Sequence, residues 1–558
     1  MRAPPSPVLS RRAALALFLF FQVWGFVVYA PALLGPPISD DFVFFLNPYV
    51  QHPTPENLLA ILDPRSLATL SLVNYAPGRA LLHALLWKIA PQNVLLYHSL
   101  NVVFHGVASF FLVRFLITLG VPVLAGSLAG LFFLVHPANV EAVAWMSQVW
   151  SPLALVFSLL ALRWLDARPA LATAAFVLAM LTKPVAVFAL PVAAVLEWLR
   201  GVEARRPGPL AHAPSPDASR WPWILGWTVL AGLYMTAQIF TFLDSSQITQ
   251  APLPIALRLR FVAVVALRYL LMAATSYGVS VAQQPPLPRS WLDPWWLASL
   301  PVLALLGFRF VRTLRERTPE AAAWMFALAG FAPVSQIFPF LYPLADRYLY
   351  FILPGLLAAV LLWGRAALGR ATDAARRRRI EGVLLASSVV LCALFSQRSL
   401  ERARIWKSED LQVREAARNF PDGISAHLQR ALERGEAGDA DGEMAELRAA
   451  GERGFVFTST ALVHPSFRRL RDDPRYRPLL RTMIGRTLEL IARKPRESQS
   501  DLREVAICHE LLGEIPEALN AVTRGLALGG PLDGSLRSDR ERLERLAHAK
   551  PPAEAEAQ

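Results

Sequence analysis

Two adjacent carboxylates, Asp40 and Asp41, stand at the head of an aromatic run that follows the first long apolar segment of the chain. Adjacent acids repel each other, and holding them beside an apolar phase costs desolvation energy, so such a pair usually has a cation or a chemical use nearby. A carboxylate can take the proton of an incoming hydroxyl group. Because neighbouring side chains rarely enter one pocket, we expect Asp40 and Asp41 to divide the work, one as general base and the other as an orienting group to a sugar hydroxyl or a nearby arginine. Asp40 is the favoured base, and Asp41 is the alternative. The other interpretation is that one of them only caps an interfacial helix and faces water.

Glu141 begins another apolar segment and is the third acid that could take part in chemistry. Burying a carboxylate without a partner costs several kcal/mol, so we expect Glu141 to pair with His136, Lys183 or an arginine. The alternative is that Glu141 only stabilises the first turn of a helix, where an acid interacts favourably with the helix dipole.

Arg347 is the first choice for binding a phosphate group, because a planar guanidinium can donate two parallel hydrogen bonds to phosphate oxygens. Lys183 and Arg79 are the second choices. Arg347 could instead form an ion pair with neighbouring Asp346, or extend towards the membrane surface from the end of a span.

The sequence predicts no resident metal centre. No cluster of His, Cys and carboxylate residues has zinc spacing, and no glycine-rich phosphate loop appears. A divalent cation at Asp40 and Asp41 is compatible with the pattern but is not required. Cys392 and Cys508 lie in different kinds of sequence, so no disulfide framework is expected.

These residues belong to a chain that is too apolar for an ordinary soluble globular protein. Of its 558 residues 54% are hydrophobic, the mean hydropathy is +0.37, and 15 residues are Trp. Most of the 43 acidic residues follow Arg398, which divides the chain into a membrane body, residues 1–397, and a soluble domain, residues 398–558. The net charge of +13 does not indicate nucleic-acid binding, because the arginines cluster between apolar segments as topology determinants do.

We predict an all-α fold, a polytopic helix bundle of about eleven spans followed by a soluble helical domain. The Lys and Arg residues of the short loops fall on the same side as Arg2, Arg11 and Arg12 if Phe261 to Val279 is an interfacial helix on the outer face. The N-terminus is then cytoplasmic, and the first outer loop, residues 35–93, and the C-terminal domain are extracytoplasmic in a cell (inner) membrane. The apolar windows are Ala13–Leu34, Tyr97–Leu119, Val121–His136, Val140–Leu165, Ala170–Leu181, Pro184–Leu199, Trp221–Leu243, Trp291–Phe310, Ala321–Tyr342, Tyr348–Trp363 and Gly382–Phe395.

The C-terminal domain contains a helical hairpin pattern. Val505 to Leu528 resembles one tetratricopeptide unit of roughly 34 residues, with a Gly-containing turn between two amphipathic stretches. Stacked hairpins of this kind form grooves that hold extended peptides. A helical bundle without repeats is the alternative.

The stretch from Phe132 to Ser147 resembles a known signature. It contains His136-Pro137 followed by Glu141-Ala-Val-Ala-Trp145, as do the transmembrane and tetratricopeptide-repeat O-mannosyltransferases and their bacterial relatives, which are GT-C glycosyltransferases that use polyprenyl-phosphate sugars. Other stretches agree with this family in order: Asp40-Asp41, Tyr97-His98 with Asn101 and His105, Leu181-Thr182-Lys183, and Ala345-Asp346-Arg347-Tyr348.

The chain departs from the family pattern at three places. After Ser147 the family continues Gly-Arg-x-Asp, whereas this chain has Gln148-Val149-Trp150-Ser151. Asn139 replaces a second His, and the first loop has Tyr75-Ala76-Pro77-Gly78-Arg79 where the family has a tyrosine-arginine-proline-leucine motif. Substrate or activity could therefore differ from the family norm.

The resemblance implies transfer of a sugar from a polyprenyl-phosphate donor to an acceptor hydroxyl, such as a protein Ser or Thr, with inversion and without a required cofactor. The acceptor, a protein or glycan, could be held by the helical domain. The implied catalytic residues are Asp40, Asp41 and Glu141. The implied residues for the donor phosphate and substrate are Arg347, Lys183, Arg79, His136 and Tyr348.

Two other classes of function remain open. A polytopic transporter or lipid-sugar flippase usually has paired halves and broken spans at the membrane midplane, which the sequence does not display. A catalytically silent family member that keeps only its helical repeats as a scaffold is the other, and the altered Gln148 to Ser151 stretch favours it.

Overall fold

The computed structural model describes residues 9–45, 47–72, 74–203, 219–245, 253–337, 342–370, 373–456, 458, 462, 465–494, 496–530 and 532–548. These residues form α-helices and short 3-10 helices, with no β-strand among them. The predicted all-α class is therefore confirmed.

The first half of the chain contributes thirteen α-helices to the described residues. They are α1 (Arg11–Tyr29), α2 (Asp41–Phe45), α3 (Pro48–Gln51), α4 (Pro55–Leu62), α5 (Leu67–Ser71), α6 (Pro77–Ile89), α7 (Val94–Thr118), α8 (Val123–Leu134), α9 (Asn139–Ala144), α10 (Trp150–Trp164), α11 (Pro169–Thr182), α12 (Ala189–Glu203) and α13 (Trp221–Ser245).

The second half contributes thirteen more to the described residues. They are α14 (Ile255–Thr275), α15 (Pro294–Glu316), α16 (Glu320–Phe331), α17 (Leu353–Leu368), α18 (Ala374–Ile405), α19 (Glu409–Asn419), α20 (Ile424–Glu436), α21 (Ala440–Glu452), α22 (Arg468–Asp472), α23 (Arg477–Ala492), α24 (Gln499–Leu512), α25 (Ile515–Leu528) and α26 (Asp533–His548).

Seven helical segments of the described residues are long and apolar enough to cross a membrane, which indicates a membrane protein. Four shorter apolar helices coincide with the remaining predicted windows: Val123–Leu134, Pro169–Thr182, Glu320–Val334 and Leu353–Leu368. The seven longer segments are Arg11–Ala32, Val94–Thr118, Met146–Trp164, Pro184–Gly201, Trp221–Thr241, Pro294–Glu316 and Ala374–Ile405.

Two compact units make up the described residues. The first lies within Met1–Phe45, Ala76–Thr236 and Thr249–Glu415, and the second within Leu46–Tyr75, Ala237–Ile248 and Ala416–Gln558. The predicted boundary at residue 397 falls inside the continuous helix α18, and the first unit ends at Glu415. The predicted first outer loop, residues 35–93, contributes to both units.

In the first unit, close backbone approaches between helices bring distant segments to one place. An added Cβ at Gly78, at the start of α6, would lie 3.0 Å from the carbonyl oxygen of Leu181 near the end of α11. An added Cβ at Gly330 in α16 would overlap the carbonyl oxygen of Phe351. Glycine at these two positions lets the segments that carry Arg79 and Arg347 pack against the rest of the bundle.

The second unit contains the helical hairpin of α24 and α25. Gly513, with φ of 78°, ends α24 in the left-handed conformation that glycine adopts easily. Ala518, Ala521 and Val522 of α25 pack in a small core that α26 completes through Leu536 and Leu543.

Candidate active site

Asp41 is a buried residue that fastens a tight turn. Its Oδ2 accepts a hydrogen bond from the Ile38 amide at 2.9 Å, and its Oδ1 accepts one from the Ser147 amide at 2.6 Å. Ser39 adopts a positive φ of 53° within this turn. Burial raises the pKa of Asp41 to about 7, although the two amide hydrogen bonds act in the opposite direction. Asp41 therefore joins the residues before α2 to the segment after α9.

Asp40 has the opposite environment and is exposed. Its negative charge raises the pKa of Arg79, whereas burial of the guanidinium is the larger effect and lowers that pKa to about 9. Arg79 therefore remains charged at neutral pH. Burial raises the pKa of the Tyr348 hydroxyl group. The charges of Arg347, Glu141 and Asp40, in decreasing order of effect, also act on that pKa. The charge of this exposed carboxylate therefore acts on Arg79 and Tyr348.

Glu141 and Arg347 form a buried ion pair. Oε1 of Glu141 accepts a hydrogen bond from Nη1 of Arg347, and Oε2 accepts one from the Arg347 backbone amide at 2.7 Å. The Glu141 side chain is 1% exposed and that of Arg347 is 11% exposed. Burial is the largest single effect and acts to lower the pKa of Arg347, but the charge and hydrogen bond of Glu141, together with Tyr348 and Tyr342, raise that pKa above its ordinary value. Glu141 therefore fixes both the position and the charge of Arg347.

Three aromatic rings surround the Arg347 guanidinium. Its central carbon lies 5.4 Å from the ring centre of Trp145 and 5.0 Å from those of Tyr342 and Tyr348. Such rings attract a cation and limit its motion. Tyr348 therefore contacts the phosphate candidate that the sequence singled out beside it.

Asp346 is held by a second network and not by Arg347. Its Oδ2 accepts a hydrogen bond from Arg402 at 2.8 Å, and its Oδ1 accepts one from the Ser280 amide at 3.1 Å. Arg402 also pairs with Glu415 at 2.9 Å. This network anchors the 3-10 segment Asp346–Phe351 that carries Arg347.

Helix α7 holds the two loops of the site in place. Nδ2 of Asn101 donates to the carbonyl oxygens of Val143 at 3.0 Å and Trp145 at 2.8 Å. Nε2 of His98 lies 3.2 Å from the carbonyl oxygen of Gly35. The polar side chains of this apolar helix therefore form hydrogen bonds with backbone carbonyl groups on either side of the site.

Lys183 has uncharged partners. Its Nζ donates to Oγ of Ser151 at 2.6 Å and to Oε1 of Gln148 at 3.4 Å. The Trp150 ring centre lies 4.4 Å from Nζ of Lys183 and 3.8 Å from the guanidinium carbon of Arg79. Burial lowers the pKa of Lys183, and the positive charges of Arg347 and Arg79 lower it further.

His136 is fully buried and bonds to backbone groups. Its Nδ1 accepts a hydrogen bond from the Ala138 amide at 3.2 Å, and its Nε2 lies 3.2 Å from the Ala273 carbonyl oxygen of α14. Burial lowers the pKa of this imidazole to about 3, so the ring is neutral. His136 therefore joins the start of the Glu141 segment to α14.

The first unit thus brings together residues that are up to about three hundred positions apart in the chain: Asp40, Asp41, Arg79, Glu141, Lys183, Arg347 and Tyr348. Gln148, Trp150 and Ser151 also belong to this cluster, although the sequence showed them only as departures from a family pattern. Among the described residues, no group of three or more His, Cys, Asp and Glu side chains is placed to hold a metal ion.

Comparison of the chain with protein-family models and with curated proteins gave no match. Any assignment of activity therefore rests on the motifs quoted from the sequence and on the geometry of this cluster.

Proposed function

We propose that the protein is a membrane glycosyltransferase. It moves a sugar from a polyprenyl-phosphate-linked donor to an acceptor hydroxyl, such as a protein Ser or Thr, on the extracytoplasmic face. The observation that carries this proposal is the arrangement of one exposed carboxylate, Asp40, with three cations, Arg79, Lys183 and Arg347, in one compact unit.

The reaction uses the two kinds of charge for different steps. Asp40 takes the proton of the acceptor hydroxyl while the hydroxyl oxygen forms a bond to the anomeric carbon of the sugar. The bond from that carbon to the phosphate oxygen breaks, and its electron pair stays on the phosphate. The donor is a phosphodiester with one negative charge, whereas the released phosphomonoester carries close to two. Cations placed at the phosphate therefore stabilise the transition state more than the bound donor.

Each sequence-predicted residue has a role in this proposal. Arg347 binds the phosphate, and Glu141 and Tyr348 position its guanidinium. Asp41 keeps Asp40 in place through the Ser147 amide. His136 supports the backbone of the same region. No cofactor takes part in this scheme.

The second unit supports the proposed topology. Nη1 of Arg496 donates to the carbonyl oxygen of Arg65 at 2.9 Å, and Thr241 donates to the carbonyl oxygen of Pro64 at 3.0 Å. Among the described residues, neither Leu46–Tyr75 nor Ala416–Gln558 contains a helix long and apolar enough to span a membrane, so a hydrogen bond between these segments requires that they lie on the same side. The loop after α1 and the C-terminal helices would then both be extracytoplasmic, where the helical hairpins could hold a protein acceptor.

The test is a transfer assay with the full chain in proteoliposomes. A panel of polyprenyl-phosphate hexoses and Ser/Thr-containing peptides is supplied, and release of polyprenyl phosphate and glycosylation of the peptide are measured. We expect turnover with at least one donor, lost in Arg347→Gln and retained in the control Arg312→Gln, whose side chain is 42% exposed. Turnover with no donor, or equal turnover in both variants, would contradict the proposal and favour a scaffold or a carrier.

A further inference from the structure

The ring of Trp150 contacts both of the cations that the sequence ranked second. The guanidinium of Arg79 and the ammonium of Lys183 both lie against its ring, at 3.8 and 4.4 Å from the ring centre. Trp150 in turn donates through Nε1 to Oε1 of Gln148 at 2.7 Å. The ring therefore keeps both cations at one place.

The oxygen atoms around Lys183 carry no formal charge. Oγ of Ser151 and Oε1 of Gln148 are its hydrogen-bond acceptors, and Ser151 donates to the same Gln148 oxygen at 3.2 Å. Ser151 and Gln148 are buried, at 0% and 2% exposure. Among the described residues no carboxylate lies within ion-pair distance of the Lys183 ammonium.

The carboxylate whose charge acts on Lys183 is already engaged. The Glu141 charge reaches Lys183, but its two oxygen atoms bind the guanidinium and the backbone amide of Arg347. Arg79 is within reach of the Asp40 charge, but Nε of its guanidinium is buried without a hydrogen-bond partner among the described residues. Buried cations that are incompletely paired favour an added anion, since burying a charge is costly unless it is paired and hydrogen-bonded.

We propose that Lys183 and Arg79 form a second anion subsite, selective for a phosphomonoester over a phosphodiester, and that Ser151 and Gln148 are its positioning residues. The inference rests on the proposed function and deepens it. Arg347 stabilises the negative charge that the phosphate already has in the donor. Lys183 and Arg79 stabilise the additional negative charge that appears on the phosphate as the bond to the sugar breaks. A neutral side chain at position 151 is essential to this subsite, because a carboxylate there would form an ion pair with the Lys183 ammonium in place of the phosphate.

The test is a comparison of two lipid ligands on the full chain in nanodiscs. A short-chain polyprenyl phosphate and the corresponding polyprenyl-phosphate hexose are titrated against the natural protein, Ser151→Asp, Ser151→Asn and Lys183→Gln. Ser151→Asp places a carboxylate beside the ammonium, and Ser151→Asn is the uncharged control of similar size. Lys183→Gln removes the ammonium and provides a second variant if Ser151→Asp does not fold.

We expect the natural protein to bind the monoester more tightly than the diester. Ser151→Asn, which offers the ammonium an uncharged acceptor in place of the hydroxyl group, should keep more of this preference than Ser151→Asp. Ser151→Asp and Lys183→Gln should lose about tenfold or more of monoester affinity, because a charge-assisted hydrogen bond is removed, with little change for the diester. In the transfer assay the same two variants should lower kcat with the donor KM nearly unchanged, a split that a merely structural defect would not produce.

Two failures are distinguishable. If the diester binds and is turned over but Ser151→Asp and Lys183→Gln keep the monoester preference, the subsite is overturned and the proposed function stands. If the natural protein binds neither lipid, both the subsite and the glycosyltransferase proposal are overturned.

Discussion

At the scale of single residues, the turn at Ser39 assigns different environments to two neighbouring acids. The Asp41 carboxylate is buried and accepts hydrogen bonds from two backbone amides, whereas Asp40 is exposed. The positive φ of Ser39 costs on the order of 1–3 kcal/mol, which the two hydrogen bonds of Asp41 offset. One acid therefore builds the site and the other remains available to a substrate.

Asp41 should make stability depend on pH. Burial raises its pKa from 3.8 to about 7, so between these values the folded protein holds a proton that the unfolded chain has released. The resulting stability is complete below pH 3.8 and is lost as the pH rises through about 7. Asp41→Asn does not titrate at this position. Relative to this variant, the thermal midpoint of the natural protein in detergent should therefore decrease as the pH rises from 3.8 to about 7.

The measurement is thermal unfolding of both proteins across that pH range. If the midpoint of the natural protein, relative to that of Asp41→Asn, stays constant or increases with pH, the buried, proton-retaining state of Asp41 is contradicted.

Glu141 should act on turnover through Arg347. Glu141→Gln keeps the size of the side chain but removes the charge that fixes the guanidinium, and we expect kcat/KM for the lipid donor to fall about tenfold to a hundredfold. Glu381→Gln is the matched control, because that side chain is 44% exposed and pairs on the surface of α18. An unchanged kcat/KM in Glu141→Gln would show that Arg347 needs no partner.

Part of this cluster could be predicted from the sequence. A carboxylate at the start of an apolar segment needs a partner, and an arginine was among the three partners expected for Glu141. The contacts of Lys183 with Gln148 and Ser151 could not be predicted, because they depend on how α10 and α11 pack and not on any local pattern. The backbone role of His136 was equally invisible, since its partner in α14 is 137 residues away.

At the scale of helices, α14 and α18 hold the segment that carries Arg347. The hydroxyl group of Tyr269 in α14 bonds to the backbone of Ala345, and Arg402 in α18 pairs with Asp346. The interfacial helix at Phe261 to Val279 was predicted because it keeps the arginine clusters of the short loops on one side. Arg258, Arg260 and Arg268 lie on α14. Two of these arginines lie against the rings of Trp291 and Trp295, at 4.2 and 4.1 Å.

Arg402→Met should destabilise the first unit. The change leaves the Asp346 and Glu415 carboxylates without their shared cation, at a cost of about 3–5 kcal/mol for a broken buried pair. Arg377→Met on the same helix is the control, because its pair with Glu381 is exposed and contributes little. Thermal unfolding in detergent measures both, and equal midpoints in the two variants would contradict a structural role for this network.

The apolar windows predicted the positions of the helices well, because the bilayer thickness requires about twenty consecutive, mostly apolar residues in a helix that spans it. The end of the membrane body was harder to place. Helix α18 continues to Ile405 although its composition changes near residue 397, because most of residues 398–405 are Arg, Leu, Glu and Ala, which are good helix formers in water.

At the scale of the whole molecule, three separated parts of the chain form the second unit: Leu46–Tyr75, Ala237–Ile248 and Ala416–Gln558. The sequence could not reveal this association, because nothing local in residues 46–75 indicates a partner near the C-terminus. In the proposed topology the N-terminus and the C-terminal helices lie on opposite sides of the membrane.

A reporter fusion tests this topology. A reporter that is active only outside the cytoplasm should be active when fused after Gln558, and a reporter that requires the cytoplasm should be inactive there. The same pair fused before Arg11 should give the reverse result. Cytoplasmic activity at the C-terminal position would contradict the proposed location of the site.

The central claim is that the exposed Asp40 carboxylate is the general base of a sugar transfer. The most direct measurement is steady-state transfer by the full chain with Asp40→Asn, alongside Asp410→Asn, whose side chain is 65% exposed. General-base catalysis predicts that kcat falls about a hundredfold to ten-thousandfold in Asp40→Asn, with the donor KM unchanged, and that Asp410→Asn behaves as the natural protein. An Asp40→Asn protein that turns over as fast as the natural one would contradict the account.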